Sequence, residues 1–144
     1  MPRFEEKRDF PYSADQMYQM VADVDKYPDF LPWCQGVRVY NQRDDSLYAD
    51  LIIGFKMFRE RFTSHVTFSD DRIEVEYIKG PLKYLHNHWQ FTALEEGRCH
   101  VDFLVDFEFR NKIFEKMIGG FFTEAVAHMI HAFEKRADEL YGGK

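Results

Sequence analysis

Apolar side chains recur at every second position through most of residues 35–109 and change to a helical spacing on either side of that block. Period two places alternate residues on opposite faces of a strand, whereas a period near 3.6 gathers them on one side of a helix. Val37 and Val39 open one predicted strand. Leu47, Ala49, Leu51, Ile53 and Phe55 share a face of the next, followed by Phe62, Ser64, Val66 and Phe68, and then by Ile73, Val75 and Tyr77 after the turn at Asp70-Asp71. Leu85, Trp89, Phe91 and Ala93 lead through the hairpin signal Glu96-Gly97 into Cys99, Val101, Phe103, Val105, Phe107 and Phe109. The other face of that last strand carries His100, Asp102, Asp106 and Glu108. One dry face and one wet face predict an antiparallel sheet.

Ahead of the sheet block, Phe4, Arg8 and Phe10 share a face of an N-terminal strand, and Ser13-Ala14-Asp15-Gln16 has capping-box spacing. A first helix therefore carries Met17, Met20, Val21 and Val24 inward and ends near Asp25. Behind the block, Asn111 is an N-cap for a helix running to about Tyr141, roughly 45 Å at 1.5 Å per residue. Its apolar stripe is read as Ile113, Phe114, Met117, Ile118, Phe121, Phe122, Ala125, Val126, Met129, Phe133, Ala137 and Leu140. Gly119-Gly120 inside it marks either a bend or a close helix–sheet approach. A one-faced sheet needs a partner, and only this helix is long enough. The expected architecture is α+β: a curved antiparallel sheet of about seven strands wrapped around a long C-terminal helix, with two short helices after strand 1, as one domain over 1–144.

Between the first helix and the strands lies Tyr27-Pro28-Asp29-Phe30-Leu31-Pro32-Trp33-Cys34. Two prolines limit it to a short helical turn and a corner, so its large apolar side chains either plug the end of the core or form the lip of a cavity. Fifteen Phe, eight Tyr and two Trp give the chain a bulky interior, while its net charge of -6 argues against broad contact with phosphate backbones, and no direct DNA binding is expected. A local basic patch would be hidden in that net count. Cys34 and Cys99 are read as reduced, buried thiols of a cytoplasmic protein. No stretch approaches the roughly 18 apolar residues of a membrane span, which leaves peripheral contact with a membrane.

Chemistry-bearing constellations are sparse. His86 and His88 share a strand face, and His128 and His131 lie one helical turn apart, but neither pair has a visible third ligand. No metal site is expected. Ser64 lacks a nucleophile elbow and Cys34 lacks a neighbouring histidine, so no catalytic residue is assigned. The alternation that turns Phe62 inward also turns Glu60 inward. A buried charge needs a partner, and Arg8 is the first choice; alternatively Arg8, Glu60 or Tyr77 meets the polar end of a bound ligand.

The run Val24 to Cys34, with Glu60-Arg61-Phe62-Thr63-Ser64-His65-Val66, Gly80-Pro81-Leu82 and Trp89-Gln90-Phe91, resembles the coenzyme Q-binding branch of the START-like, or helix-grip, superfamily. That branch also includes bacterial ribosome-association toxins, and the wider superfamily includes polyketide cyclases and lipid-transfer domains. The resemblance implies a cavity between sheet and helix that accommodates ubiquinone or a related isoprenoid lipid, without a cofactor of its own, in support of respiratory electron transport. The expected ligand-binding residues are Phe30, Leu31 and Trp33 at the entrance, and Glu60, Phe62, Tyr77, Trp89, Phe91, Phe103, Phe121 and Met129 within. A ribosome-associated factor is the alternative, with the ribosome as partner, and a cyclase or dehydratase the third. Work in the cytoplasm, at the periphery of the inner membrane, is the corresponding location.

Overall fold

The computed structural model describes residues 3–31, 33–55 and 58–142. Its strands are β1 (Arg3–Phe10), β2 (Cys34–Tyr40), β3 (Ser46–Phe55), β4 (Phe58–Phe68), β5 (Arg72–Lys79), β6 (Leu82–Ala93) and β7 (Cys99–Phe109). They form one antiparallel sheet in the order β1-β7-β6-β5-β4-β3-β2. β2 to β7 run as a meander, and β1 returns to pair with β7 from Arg3 opposite Asp106 to Phe10 opposite Cys99. The predicted alternation is clearest in β7, where every second residue from Cys99 to Phe109 is buried.

α1 (Ala14–Ala22) starts at the expected capping box: the Gln16 amide donates to Ser13 Oγ and the Ser13 amide to Gln16 Oε1, both at 3.0 Å. Met17, Met20 and Val21 are its buried face. A 3-10 turn from Val24 to Asp29 contains Pro28 and supplies the second short helix. Pro32 lies outside the described residues.

The C-terminal rod is two helices, α2 (Lys112–Ala127) and α3 (Met129–Tyr141), interrupted at His128 with φ -99° and ψ 4°. The interruption has a local cause. In the tautomer that carries a proton on Nδ1, the His128 ring donates to the Glu124 carbonyl at 2.9 Å, the same carbonyl that accepts the His128 amide at 3.1 Å. A side chain entering the helical ladder in this way is a recognised origin of kinks. Gly119 and Gly120 instead continue inside α2. A Cβ on Gly119 would stand 3.7 Å from the Phe109 ring, an ordinary contact distance, and 3.3 Å from Glu115 Cγ of the same helix, so Gly119 faces the sheet without the sheet demanding glycine there.

The predicted stripe was too wide. Ile113, Met117 and Leu140 are 74%, 72% and 48% exposed, whereas Val126, Ile130, Phe133 and Ala137 are buried. At about 100° per residue, Met117 and Val126, nine positions apart, point in opposite directions, so both cannot face one sheet. The side chains of Phe55, Phe114, Ile118 and Phe122 lie outside the described residues.

Phe133 joins α3 to the rest of the core, with its ring 4.9 Å from Trp89, 5.2 Å from Phe30 and 5.4 Å from Tyr27, all edge-on. Arg8 does not pair with Glu60. Its guanidinium reaches Glu134 Oε1 on α3 at 2.6 Å and Glu6 at 3.0 Å. β7, β6 and β5 intervene between β1 and β4, four steps of about 4.8 Å.

Candidate functional site

Between the concave sheet face and the helices lies a cavity of about 140 Å³. Its floor is built by the inward alternates of five strands: Leu51 and Ile53 of β3, Phe62, Ser64 and Val66 of β4, Ile73, Val75 and Tyr77 of β5, Leu85, Asn87 and Trp89 of β6, and Val105 of β7. Ala125 and Val126 of α2 with Met129 and Phe133 of α3 form the roof, and Val21, Val24, Tyr27, Leu31 and Trp33 close one end. Most of these side chains are aliphatic, so the wall offers dispersion contacts with few directional demands.

The polar groups on this wall are largely committed to the backbone. Tyr77 Oη accepts the Leu82 amide at 2.8 Å and donates to the Leu82 carbonyl at 3.1 Å, clamping the turn between β5 and β6. Gly80 in that turn has φ +154°, and a Cβ there would stand 2.7 Å from Tyr77 Oη, so the clamp requires glycine. Tyr77 therefore presents its ring to the cavity, and its hydroxyl is engaged. Tyr27 Oη donates to the Val21 carbonyl at 2.5 Å, and burial pushes its pKa well up. Asn87 Nδ2 donates to the Leu104 carbonyl at 2.8 Å, which turns the amide oxygen into the group left to accept from a ligand. Ser64, 6% exposed, is the other polar side chain of the floor.

Six expected residues meet on this wall: Leu31, Trp33, Phe62, Tyr77, Trp89 and Met129. Phe30 and Phe121 line a separate, more open groove of about 620 Å³ along α2 and α3, which shares Trp33 and Ala125 with the cavity. Trp33 and Ala125 thus form the partition between interior and groove. Leu31 is only 1% exposed and Phe30 lies under the Arg136 guanidinium at 5.2 Å, so the proline-bounded segment acts as a plug whose last residue, Trp33, borders the opening. Phe91 and Phe103 sit behind the wall, Phe103 packed 4.5 Å from Trp89 and Phe91 5.4 Å from Tyr18. Glu60 is half-buried opposite Ile53, off the lining. Val75, Asn87 and Phe133 were not foreseen as lining. Asn87 had a signal: its parity matches Leu85 and Trp89.

Among the described residues, the wall carries no carboxylate, imidazole or guanidinium. Burial raises the thiols of Cys34 and Cys99 to about 11, the Cys34 shift being partly offset by a backbone hydrogen bond of Gly36, so both stay protonated and unreactive near neutral pH. His86 and His88 stand on the outer sheet face, and His131 approaches Glu134 at 3.7 Å. No three potential metal ligands converge among the described residues. The arrangement can enclose an apolar molecule and address one or two of its polar atoms.

Comparison with known proteins agrees with this geometry. A family model described as polyketide cyclase/dehydrase and lipid transport matches residues 10–134. The ribosome association toxin RatA of Escherichia coli K12 is 37% identical over 145 residues, covering 100% of this chain and 92% of the relative. The mitochondrial coenzyme Q-binding protein COQ10 homolog B of Xenopus laevis is 33% identical over 144 residues, covering 96% of this chain and 59% of the relative. Among solved structures, an aromatase/cyclase of Streptomyces superposes with a TM-score of 0.81 at 16% identity over 95% of this chain and 93% of its own, a likeness of fold alone. Among the described residues, no helix is long and apolar enough to cross a membrane.

Proposed function

Because the chain belongs to the polyketide cyclase/dehydrase and lipid-transport family, we propose that it binds and carries ubiquinone, or an isoprenoid lipid of similar shape, without transforming it. The observation that carries this reading is the apolar cavity whose described wall lacks any acid–base pair. General acid–base chemistry needs a titratable group within hydrogen-bond reach of the reacting atom. The similarity to a coenzyme Q-binding protein supports the choice of ligand class. Leu31, Trp33, Phe62, Tyr77, Trp89 and Met129 are the proposed contacts, and work in the cytoplasm beside the inner membrane follows from the cargo.

The cavity size refines how the tail contributes. A volume of about 140 Å³ lies below the roughly 300–1,000 Å³ of drug-sized pockets and matches the roughly 150 Å³ that holds a benzene ring, so it accepts one ring or about one isoprene unit. The remainder of a long tail leaves past Trp33 and Ala125 into the outer groove. Affinity measured across a quinone series of increasing tail length should rise over the first units and then level off. Equal affinity for tail-less and long-tailed quinones would overturn the carrier reading.

A second reading, a ribosome-associated factor, is favoured by the outer face of β2 to β5. There Arg38, Arg59, Arg61 and Lys79 stand on the side opposite the inward Phe62 and Ser64, with Asp50 reaching Arg38 at 4.0 Å and Glu74 and Glu76 farther along β5, within a chain of net charge -6. Such a patch suits phosphates. Co-sedimentation with ribosomal subunits that Arg59→Glu/Arg61→Glu abolishes and a cavity-filling variant leaves intact would shift the assignment to this reading.

A further inference from the structure

α2 presents an apolar strip to solvent. Ile113 and Met117, 74% and 72% exposed, are the most exposed large apolar side chains among the described residues. Four positions apart, they share one face, on the side away from Val126. Gly120 extends that face without obstruction, since a Cβ there would meet nothing within 4 Å. Exposed Arg110, Lys112 and Lys116 flank the strip against the single acid Glu115, a local positive balance in a chain of net charge -6.

We propose that this face of α2 docks on an anionic lipid bilayer, with Ile113 and Met117 entering the acyl boundary and Arg110, Lys112 and Lys116 meeting the lipid phosphates. Apolar insertion beside basic side chains is how a helix lies in a membrane interface. A second copy of the chain fits less well. A symmetric pairing would set the like cations Arg110, Lys112 and Lys116 of two copies against each other. A fluid bilayer needs no shape match.

The position of the strip gives it a use that rests on the carrier reading. α2 also supplies Ala125 and Val126 to the cavity roof, and it ends at the His128 interruption. Docking by this face would hold the border at Ala125 eight residues, about 12 Å, along the same helix from Met117, on the helix past which a ligand would enter. The segment Phe30, Leu31 and Trp33, expected at the cavity entrance, is tucked inward by comparison, with Leu31 1% exposed.

The test is vesicle flotation of the full chain with mixed phosphatidylcholine–phosphatidylglycerol vesicles and with phosphatidylcholine alone. Ile113→Glu/Met117→Glu should weaken binding to the mixed vesicles at least about tenfold, equivalent to about 1.4 kcal/mol. Lys112→Glu/Lys116→Glu should remove the preference for anionic vesicles and its salt dependence. Both variants alter exposed positions and should keep the wild-type uptake of a short-tailed quinone from solution. Unchanged flotation of both variants overturns the proposal, as does a wild-type chain that ignores vesicles and dimerises through Ile113 and Met117. Flotation without quinone uptake by the wild type leaves the docking face standing and sinks the carrier reading; uptake without flotation does the reverse.

Discussion

The concave face of the sheet is filled at one side and hollow at the other. Across β6 and β7, Trp89, Phe91, Phe103 and Phe107 are at most 3% exposed; Trp89 meets Phe91, Phe103 and Phe133 ring to ring, and Phe107 meets Phe109. Across β3 to β5 most inward residues on the cavity wall are small or aliphatic, Leu51, Ile53, Ser64, Val66, Ile73 and Val75, with the rings of Phe62 and Tyr77 among them, and the cavity reaches Leu85, Asn87 and Trp89 of β6 and Val105 of β7. The sheet carries the same alternation on both sides. What differs is side-chain reach: aromatic rings span the gap to α3, whereas valine, isoleucine and serine stop short of it. Rings packed on one another therefore mark where interior space is used up, and the vacancy lies beside them, with Phe62, Tyr77 and Trp89 on its wall.

The largest test of this contrast removes a ring from the filled side. Phe103→Ala should cost about 3–5 kcal/mol in urea denaturation, because its close-packed surroundings relax only partly. An effect below ~1.5 kcal/mol would mean that side is not close-packed. The opposite experiment adds a ring. Val101→Phe on the filled side should cost about 1–3 kcal/mol by overpacking, whereas Val75→Phe on the hollow side should cost less and abolish quinone binding. Equal destabilisation by the two would erase the distinction.

Smaller effects sharpen it. Burial holds both thiols near 11, so labelling at pH 8 depends on opening rather than on thiolate supply. Cys34, at the start of β2 beside the plug, should be modified faster under native conditions than Cys99 on β7; matching rates would show that the two sides open together. The smallest effect is protonic. Burial, aided by the charge of Arg72, lowers the pKa of His88 on the outer face of β6. The unfolded chain then binds this proton more readily, so the contribution is complete above the unfolded value of about 6.5 and is lost as pH falls below it. His88→Gln should reduce the acid sensitivity of the midpoint denaturant concentration, and an NMR titration of His88 at or above 6.5 would contradict the assignment.

Period two made the strands readable before any coordinates, and the capping spacing of Ser13 and Gln16 located α1. The break at His128 left no such trace, because the stripe continues through Met129, Phe133 and Ala137 while the cause is a ring nitrogen meeting a carbonyl. Arg8 was legible as an inward charge, but its partner Glu134 lies 126 residues away on α3, where strand parity says nothing about helix placement. Ile113 and Met117 were misplaced because the apolar arc from Ile113 to Ile118 spans about 140° of the helix, and periodicity does not say which edge of so wide an arc faces the sheet. For the cavity, strand parity named Phe62, Tyr77 and Trp89, the proline-bounded run named Leu31 and Trp33, and the helical stripe named Met129. The preference for large residues also drew in Phe91 and Phe103, which fill space, and passed over Asn87, whose polarity interrupts an otherwise apolar series.

The pairing of β1 with β7 bears on how the chain is made. β1 is synthesised first, yet its partners follow 89 to 103 residues later. During translation the N-terminal strand waits unpaired while β2 to β6 emerge and join, and the edge that β7 later offers to it does not yet exist. Contacts of such sequence separation close slowly and lengthen the time for which apolar edges stand open. A nascent chain halted before Phe109 holds nearly three quarters of the protein with its earliest strand unplaced and its sheet without α2 and α3. Chaperone capture is thus expected to be strongest late in synthesis, and to fall away once β7 is free of the exit tunnel.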